Sequence, residues 1–155
     1  FDVDGVLTNG QVFLMESGEF VRNMNSKDGY ALQLAVKKGY RIAIITGGNS
    51  QIVKNALHGL GIDDVFLSQH DKLQCYKDYI NEHDLKEDEI LYMGDDLPDY
   101  EVMKRVGLAV CPFNAAHEIK EICTYISNRN GGEACVRDVI EQVMRSQGTW
   151  EIAGW

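Results

Sequence analysis

Asp2 and Asp4 stand two positions apart in the run Phe1-Asp2-Val3-Asp4-Gly5-Val6-Leu7-Thr8. On an extended strand, side chains at that spacing share a face. Two like charges held close in a partly buried place repel unless a cation or a shared proton compensates, so the pair is a candidate for metal binding or acid/base work. The plainer alternative is two solvated acids at a strand end. A second acidic cluster, Met93-Gly94-Asp95-Asp96-Leu97-Pro98-Asp99, follows the apolar Ile90-Leu91-Tyr92. Carboxylate oxygens suit a hard cation such as Mg²⁺, which keeps waters and is commonly shared with a substrate phosphate. The same acids would also suit a helix N-terminus.

Two further elements fit a phosphate. Ile44-Ile45-Thr46-Gly47-Gly48-Asn49-Ser50 runs from an apolar strand into a small-residue loop and then a helix. Its backbone N–H groups, the Thr46 hydroxyl and the positive helix end make a cradle for an anion, with Thr46 and Gly47 closest to it. Lys72 opens the next helix, where its ammonium could offset phosphate charge; a lone lysine is otherwise a solvated side chain. Cys75, Cys111, Cys123 and Cys135 show no paired spacing and read as ordinary buried or half-buried thiols.

Apolar runs alternate with amphipathic stretches along the chain, the pattern of parallel strands joined by crossover helices. Strands are expected at Phe1 to Val3, Arg41 to Thr46, Val65 to Leu67, Ile90 to Met93 and Leu108 to Val110. Helices are expected at Gly29 to Lys38, Ser50 to Leu60, Lys72 to His83, Pro98 to Val106, Ala116 to Ile122 and Cys135 to Arg145. The fold class is therefore α/β, a doubly wound, Rossmann-like parallel sheet. Gln11 to Met15 and Glu19 to Asn25, joined by Glu16-Ser17-Gly18, read as a β-hairpin inserted after the first strand, at the sheet edge where ligands bind in such folds.

The 155 residues, 45% hydrophobic and 25% charged, suit one domain spanning 1–155. A strand starting at Phe1 has little before its functional end, so more residues are expected upstream. Fifteen Lys and Arg against twenty-four Asp and Glu leave a net charge of −9, the wrong sign for attraction to nucleic acid or an anionic membrane. No run approaches the length of a membrane-spanning helix and no signal sequence is evident, which makes the cytoplasm the expected compartment.

The four elements fall in order on four successive strand ends, and in that arrangement the chain resembles the haloacid dehalogenase superfamily. Asp2-Val3-Asp4-Gly5-Val6-Leu7-Thr8, Thr46, Lys72, and Gly94-Asp95-Asp96 with Asp99 match its four motifs. The hairpin, Lys27-Asp28-Gly29-Tyr30-Ala31, and Gly131-Gly132 followed by Arg137-Asp138-Val139 resemble its capless phosphatase group. The best-known activity of that group is hydrolysis of 3-deoxy-D-manno-octulosonate 8-phosphate, in lipopolysaccharide precursor synthesis. The resemblance implies that Asp2 is the nucleophile that forms an aspartyl phosphate and Asp4 the acid/base. It implies Mg²⁺ held by Asp2, Asp95 and the Asp4 carbonyl, and a phosphoryl clamp of Thr46, Gly47 and Lys72. Asp96 and Asp99 would be supporting residues, Asp99 acting through Lys72. It further implies a small phosphorylated sugar acid as substrate and a homotetramer whose neighbouring subunits cover the sites in place of a cap.

Gly48, Asn49 and Glu133 stand where members of that group commonly carry Arg, which puts recognition of the sugar-acid carboxylate in question. Lys54, Arg129 and Arg137 are nearby cations in sequence. A nine-carbon keto sugar acid phosphate is the alternative substrate. From other classes, a silent regulatory or oligomerisation module, as found fused to sugar nucleotidyltransferases, conflicts with intact motifs. A receiver-like binding domain fits the paired Asp2 and Asp4 less well, and a phosphotransferase would need a larger cap to exclude water.

Overall fold

The structure is a computed structural model that describes residues 1–151. In chain order its elements are β1 (Phe13–Leu14), β2 (Phe20–Val21), α1 (Ser26–Lys37), β3 (Ala43–Ile45), α2 (Gln51–Gly59), β4 (Asp64–Phe66), α3 (Lys72–Glu82), β5 (Leu91–Met93), α4 (Tyr100–Met103), β6 (Leu108–Cys111), α5 (His117–Ile122), β7 (Tyr125–Ile126) and α6 (Cys135–Ser146). β3 pairs in parallel with β4, and β5, β6 and β7 pair in parallel in that order. Phe1 and Asp2 join the two groups. Phe1 N donates to the Ala43 carbonyl at 3.0 Å and Ile45 N donates to the Phe1 carbonyl at 3.1 Å, while Asp2 N donates to the Met93 carbonyl at 3.0 Å. The resulting spatial order is β4, β3, Phe1–Asp2, β5, β6, β7.

Side-chain alternation along these strands divides the apolar residues between two cores, as expected when both faces of a parallel sheet are covered. Ile44, Met93 and Val110 pack with Leu32, Leu57, Val136 and Ile140 from α1, α2 and α6. Their neighbours Ile45, Tyr92, Ala109 and Cys111 pack on the other face with Tyr76, Ile80, Val102 and Ile119 from α3, α4 and α5. This is the doubly wound α/β fold read from the sequence.

Several elements depart from the sequence reading. Helix α1 starts at Ser26, three residues ahead of the expected Gly29, because the Asn25 side chain caps it by accepting from Lys27 N at 2.9 Å. The helix expected over Pro98 to Val106 is a tight turn over Leu97–Asp99 followed by a single helical turn, α4. Gly107 N is drawn onto the Glu87 carbonyl at 2.7 Å, which pulls the chain out of the helix toward β6. The two-residue strand β7 was not expected at all, since it has no apolar run to mark it. The hairpin is present, with Phe13 opposite Val21 and Leu14 opposite Phe20, but its paired part is shorter than Gln11 to Met15 and Glu19 to Asn25.

Helix α6 begins after Ala134, whose backbone is left-handed and which provides no side-chain cap. Asp28 of α1 fills that role from across the helix pair, its Oδ1 accepting from Arg137 N at 2.7 Å with no exposed surface of its own. Burial pushes the Asp28 carboxyl up from 3.8 to about 6, against the pull of the α6 amides and the Arg137 charge. With the folded value above the unfolded one, the native state holds more protons between the two. Asp28 therefore favours folding most below pH 4, and that contribution is lost as pH rises through about 6. Measured by denaturant unfolding, wild type should lose about 1 kcal/mol relative to Asp28→Asn between pH 5 and 7. A stability difference that does not change with pH would show that Asp28 stays ionised on folding.

Candidate active site

The carboxyl ends of the strands converge on one place. Asp2 closes the N-terminal segment, Thr46 follows β3, Lys72 begins α3 after the loop from β4, and Asp95 follows β5. The loops are tied to one another by backbone bonds: Thr46 N donates to the Phe66 carbonyl at 3.0 Å, Gln69 N to the Thr46 carbonyl at 2.9 Å, and Ser68 N to the Gly48 carbonyl at 2.9 Å. Asp71 caps α3 by accepting from Gln74 N at 2.9 Å, which aims Lys72 inward from the first helical position.

Lys72 is the electrostatic centre of the cluster. Its Nζ lies 2.8 Å from Asp2 Oδ1 and 2.8 Å from Asp99 Oδ1, with all three side chains buried. Asp99 Oδ1 also accepts from Tyr92 Oη at 2.8 Å, and Asp99 Oδ2 accepts from Asp95 N at 3.1 Å. Asp99 thus positions both Lys72 and the start of the Asp95 loop. Burial would lower the Lys72 ammonium, but Asp2 and Asp99 outweigh it and hold it above its ordinary value. Burial, then Asp99 and Asp2, push the Tyr92 phenol well up, so it remains a donor.

One ammonium cannot balance three acids. Carboxylate oxygens of Asp2, Asp95 and Asp99 all lie within 4.8 Å of one another. Burial, with the charges of Asp2, Asp99 and Asp96 added, raises Asp95 to about 7; burial and Asp99 raise Asp2 to about 6 despite Lys72. An all-oxygen donor set with surplus negative charge fits a small hard divalent cation. The backbone has been cleared for this crowding. Gly5 has φ +91°, and a Cβ there would sit 1.9 Å from Asp95 Oδ2; a Cβ on Gly94 would sit 2.4 Å from Asp99 Cβ.

Asp4 takes different partners from Asp2. The sequence reading put Asp2 and Asp4 on one strand face, but the chain leaves the sheet after Asp2. Thr8 N donates to the Val3 carbonyl at 3.0 Å, closing a loop through Gly5, so Asp4 does not share partners with Asp2. Asp4 Oδ1 instead accepts from Arg22 Nε at 2.7 Å and from Thr8 Oγ1 at 3.3 Å. Asp4, Arg22, Thr46, Gly48 and Ser50 line a small hollow beside the acidic cluster. The Thr46 hydroxyl accepts from Gly48 N at 3.1 Å, Gly47 is exposed at the rim, and Ser50 caps α2 by accepting from Val53 N at 3.3 Å. Asp96 is exposed and caps the following turn through Leu97 N at 2.8 Å.

Arg22 and Tyr92 were missed by sequence reasoning. Tyr92 carried a faint signal, a polar tip inside an apolar strand directly before an acidic cluster; Arg22 carried none beyond its place near the end of the hairpin. Of the cations considered for a substrate carboxylate, Arg137 is engaged elsewhere, 3.1 Å from Glu141 and over the Tyr30 and Trp150 rings. A larger cavity of about 300 Å³, lined by Phe1, Tyr40, Ile42, Tyr76, Tyr92 and Val139 among others, is mainly apolar.

Since Asp95 and Asp2 are held near 7 and 6, a bound cation must compete with protons below about pH 7. Calorimetric titration of the cation-free protein with Mg²⁺ should show proton release at pH 6.5, and apparent affinity should fall by about tenfold per pH unit for each proton displaced. Asp95→Asn should remove most of the proton release at that pH, leaving only the smaller share from Asp2. Binding that is insensitive to pH and releases no proton would place the cation elsewhere.

Residues 64–140 match the model of the haloacid dehalogenase-like hydrolases. The chain is 33% identical over 147 residues to the 3-deoxy-D-manno-octulosonate 8-phosphate phosphatase KdsC of Escherichia coli K12, covering 95% of this chain and 78% of that protein. It superposes on the crystal structure of the Yersinia pestis 3-deoxy-D-manno-octulosonate 8-phosphate phosphatase with TM-score 0.93 and 30% identity, over 96% of this chain and 80% of the other. For the Moraxella catarrhalis enzyme in complex with magnesium ion, phosphate ion and a KDO molecule, the TM-score is 0.92 at 31% identity, over 95% and 84% of the two chains. With sequence, fold and the order of its motifs in agreement, this chain belongs to the haloacid dehalogenase-like hydrolases and is a phosphatase of the group that holds the 3-deoxy-D-manno-octulosonate 8-phosphate phosphatases.

Proposed function

We propose that this phosphatase hydrolyses the terminal phosphate of a 2-keto-3-deoxy sugar acid, with 3-deoxy-D-manno-octulosonate 8-phosphate as the preferred substrate, by way of a phosphoenzyme on Asp2. The observation that carries the reading is the buried Asp2–Lys72–Asp99 contact beside Asp95, at the strand ends where anions bind in such sheets. Similarity to octulosonate phosphatases over nearly the whole chain supports the substrate class.

In this reading Asp2 attacks phosphorus while Asp4 gives a proton to the departing sugar oxygen. Asp4 then takes a proton from the water that hydrolyses the phosphoenzyme. Thr46, the Gly47 backbone and Lys72 hold the phosphoryl oxygens, and Lys72 keeps Asp2 turned toward them. A bound Mg²⁺ would be held by Asp2, Asp95 and the Asp4 carbonyl and would offset the repulsion between nucleophile and phosphate. Asp99 positions Lys72, and Asp96 supports the loop by capping its turn.

The hairpin is the proposed contact between subunits. Phe13, Leu14, Phe20 and Val21 are 60%, 76%, 56% and 46% exposed, more apolar surface than a marginal two-stranded ribbon keeps in water. A homotetramer in which hairpins cover neighbouring sites accounts for that exposure. Light scattering at assay concentrations should give the tetramer mass, and Phe13→Ser with Leu14→Ser should dissociate it. An active wild-type monomer would refute the assembly.

Gly48, Asn49 and Glu133 leave the second-motif loop and the Gly131-Gly132 segment without the cations common in the group. Loss of one charged contact to the substrate carboxylate weakens selectivity by roughly ten- to a hundredfold. Comparing kcat/KM on the eight-carbon acid phosphate, a nine-carbon acid phosphate and a hexose phosphate tests the choice of sugar. The eight-carbon acid should lead, by a smaller margin than an intact set of cations would give. Hexose phosphate equal to or ahead of both acids would reject the sugar-acid reading. Asp2→Asn should be inactive on all three; a tenth of wild-type activity would reject the nucleophile.

A further inference from the structure

Both donors to Asp4 act on the same oxygen. Arg22 Nε lies 2.7 Å from Asp4 Oδ1 and Thr8 Oγ1 lies 3.3 Å from it, while no donor among the described residues is bonded to Oδ2. Oδ2 is turned toward the second-motif loop, where a Cβ on Gly48 would stand 3.5 Å from it and 3.4 Å from Thr46 Oγ1. Thr8 is itself fixed, its hydroxyl accepting from Gly5 N at 3.3 Å and Gly10 N at 3.1 Å. The Arg22 side chain is only 11% exposed, its Nη1 donates to the Phe20 carbonyl at 3.3 Å, and its Nη2 lies on the Gly48 side.

We infer that Arg22 is the positioning residue for Asp4: by occupying Oδ1 it leaves Oδ2 as the one oxygen that exchanges a proton with the leaving group and with water. An oxygen already accepting from a guanidinium and a hydroxyl has little room for a proton of its own, so the proton in transit is confined to Oδ2. That oxygen faces the same hollow as Thr46, where the scissile bond must lie if Thr46 holds the phosphoryl group. Without the guanidinium, Asp4, 32% exposed on its side chain, is free to rotate and present either oxygen or neither. The inference rests on the proposed acid/base role of Asp4.

It also gives the hairpin a second duty. Arg22 directly follows β2, and the pairing of Phe13 with Val21 sets which way it points. A slip of one residue in that register would turn Arg22 away from Asp4.

Arg22→Gln tests this, with Arg22→Lys as the conservative partner and Asp4→Asn as the reference. On an aliphatic sugar-acid phosphate, Arg22→Gln should lower kcat by about 10- to 100-fold, the scale of a misplaced catalytic group, with KM within about twofold of wild type. On p-nitrophenyl phosphate, whose leaving group needs no proton, the variant should release one equivalent of nitrophenolate in a fast burst and then turn over slowly, because only dephosphorylation still requires Asp4. Arg22→Lys should restore part of kcat, and Mg²⁺ affinity by calorimetry and the melting temperature should match wild type in both variants. A raised KM with unchanged kcat would overturn the inference by making Arg22 a substrate contact, and wild-type kinetics in Arg22→Gln would overturn it outright. Unimpaired turnover of the aliphatic substrate by Asp4→Asn would remove the acid/base reading itself. If Arg22→Gln melts well below wild type, the Lys variant decides: a burst with slowed turnover supports the inference, and a proportional loss on both substrates rejects it.

Discussion

The site is organised by the mutual repulsion of buried carboxylates around one ammonium. Asp2, Asp95 and Asp99 would not remain together without Lys72, and Lys72 would not remain charged at 5% exposure without Asp2 and Asp99. Each group makes the other's burial tolerable, and removing either leaves an uncompensated charge, which is far more costly than losing an exposed pair. The remaining imbalance is chemically useful. A surplus of negative charge at the bottom of a cleft attracts a hard cation, and the cation in turn makes room for a phosphate that the acids alone would repel.

Much of the surrounding architecture serves that arrangement. Tyr92 rises out of a buried strand to donate to Asp99, and Asp95 N donates to the same carboxylate. Gly5 and Gly94 give up side chains so that Asp95 and Asp99 can fit. The two apolar cores cover both faces of the sheet, and the shared sheet edge is where three strands and the N-terminal segment deliver their polar ends.

Those strand ends were legible in the sequence because each motif terminates an apolar run, and the change from apolar to acidic or glycine-rich residues marks where a buried strand meets solvent. The alternation of strands and helices was legible for the same reason. What escaped was set by tertiary contact. Arg22 sits in a segment of alternating polar and apolar residues, where a charge is read as facing water; only the fold shows it turned toward Asp4. Asp2 and Asp4 obey strand spacing in the sequence, but the chain turns out of the sheet after Asp2 and the two side chains take different partners. The β7 strand and the short α4 are fixed by neighbours, β6 and the Glu87 carbonyl, that local propensity does not register.

The loop that carries Asp2 and Asp4 is closed from the far end of the chain. Gly132 N donates to the Val6 carbonyl at 2.9 Å, and the Cys135 thiol donates to the same oxygen at 3.2 Å across a separation of 129 residues. Contacts of such long range form late, because the intervening chain must be ordered before the ends can meet. During synthesis on the ribosome Asp2 emerges well ahead of α6, so its loop has no brace until that helix has been made. A growing chain of this phosphatase therefore exposes Asp2 before its loop can hold a fixed shape, and that shape waits on Gly132 and Cys135.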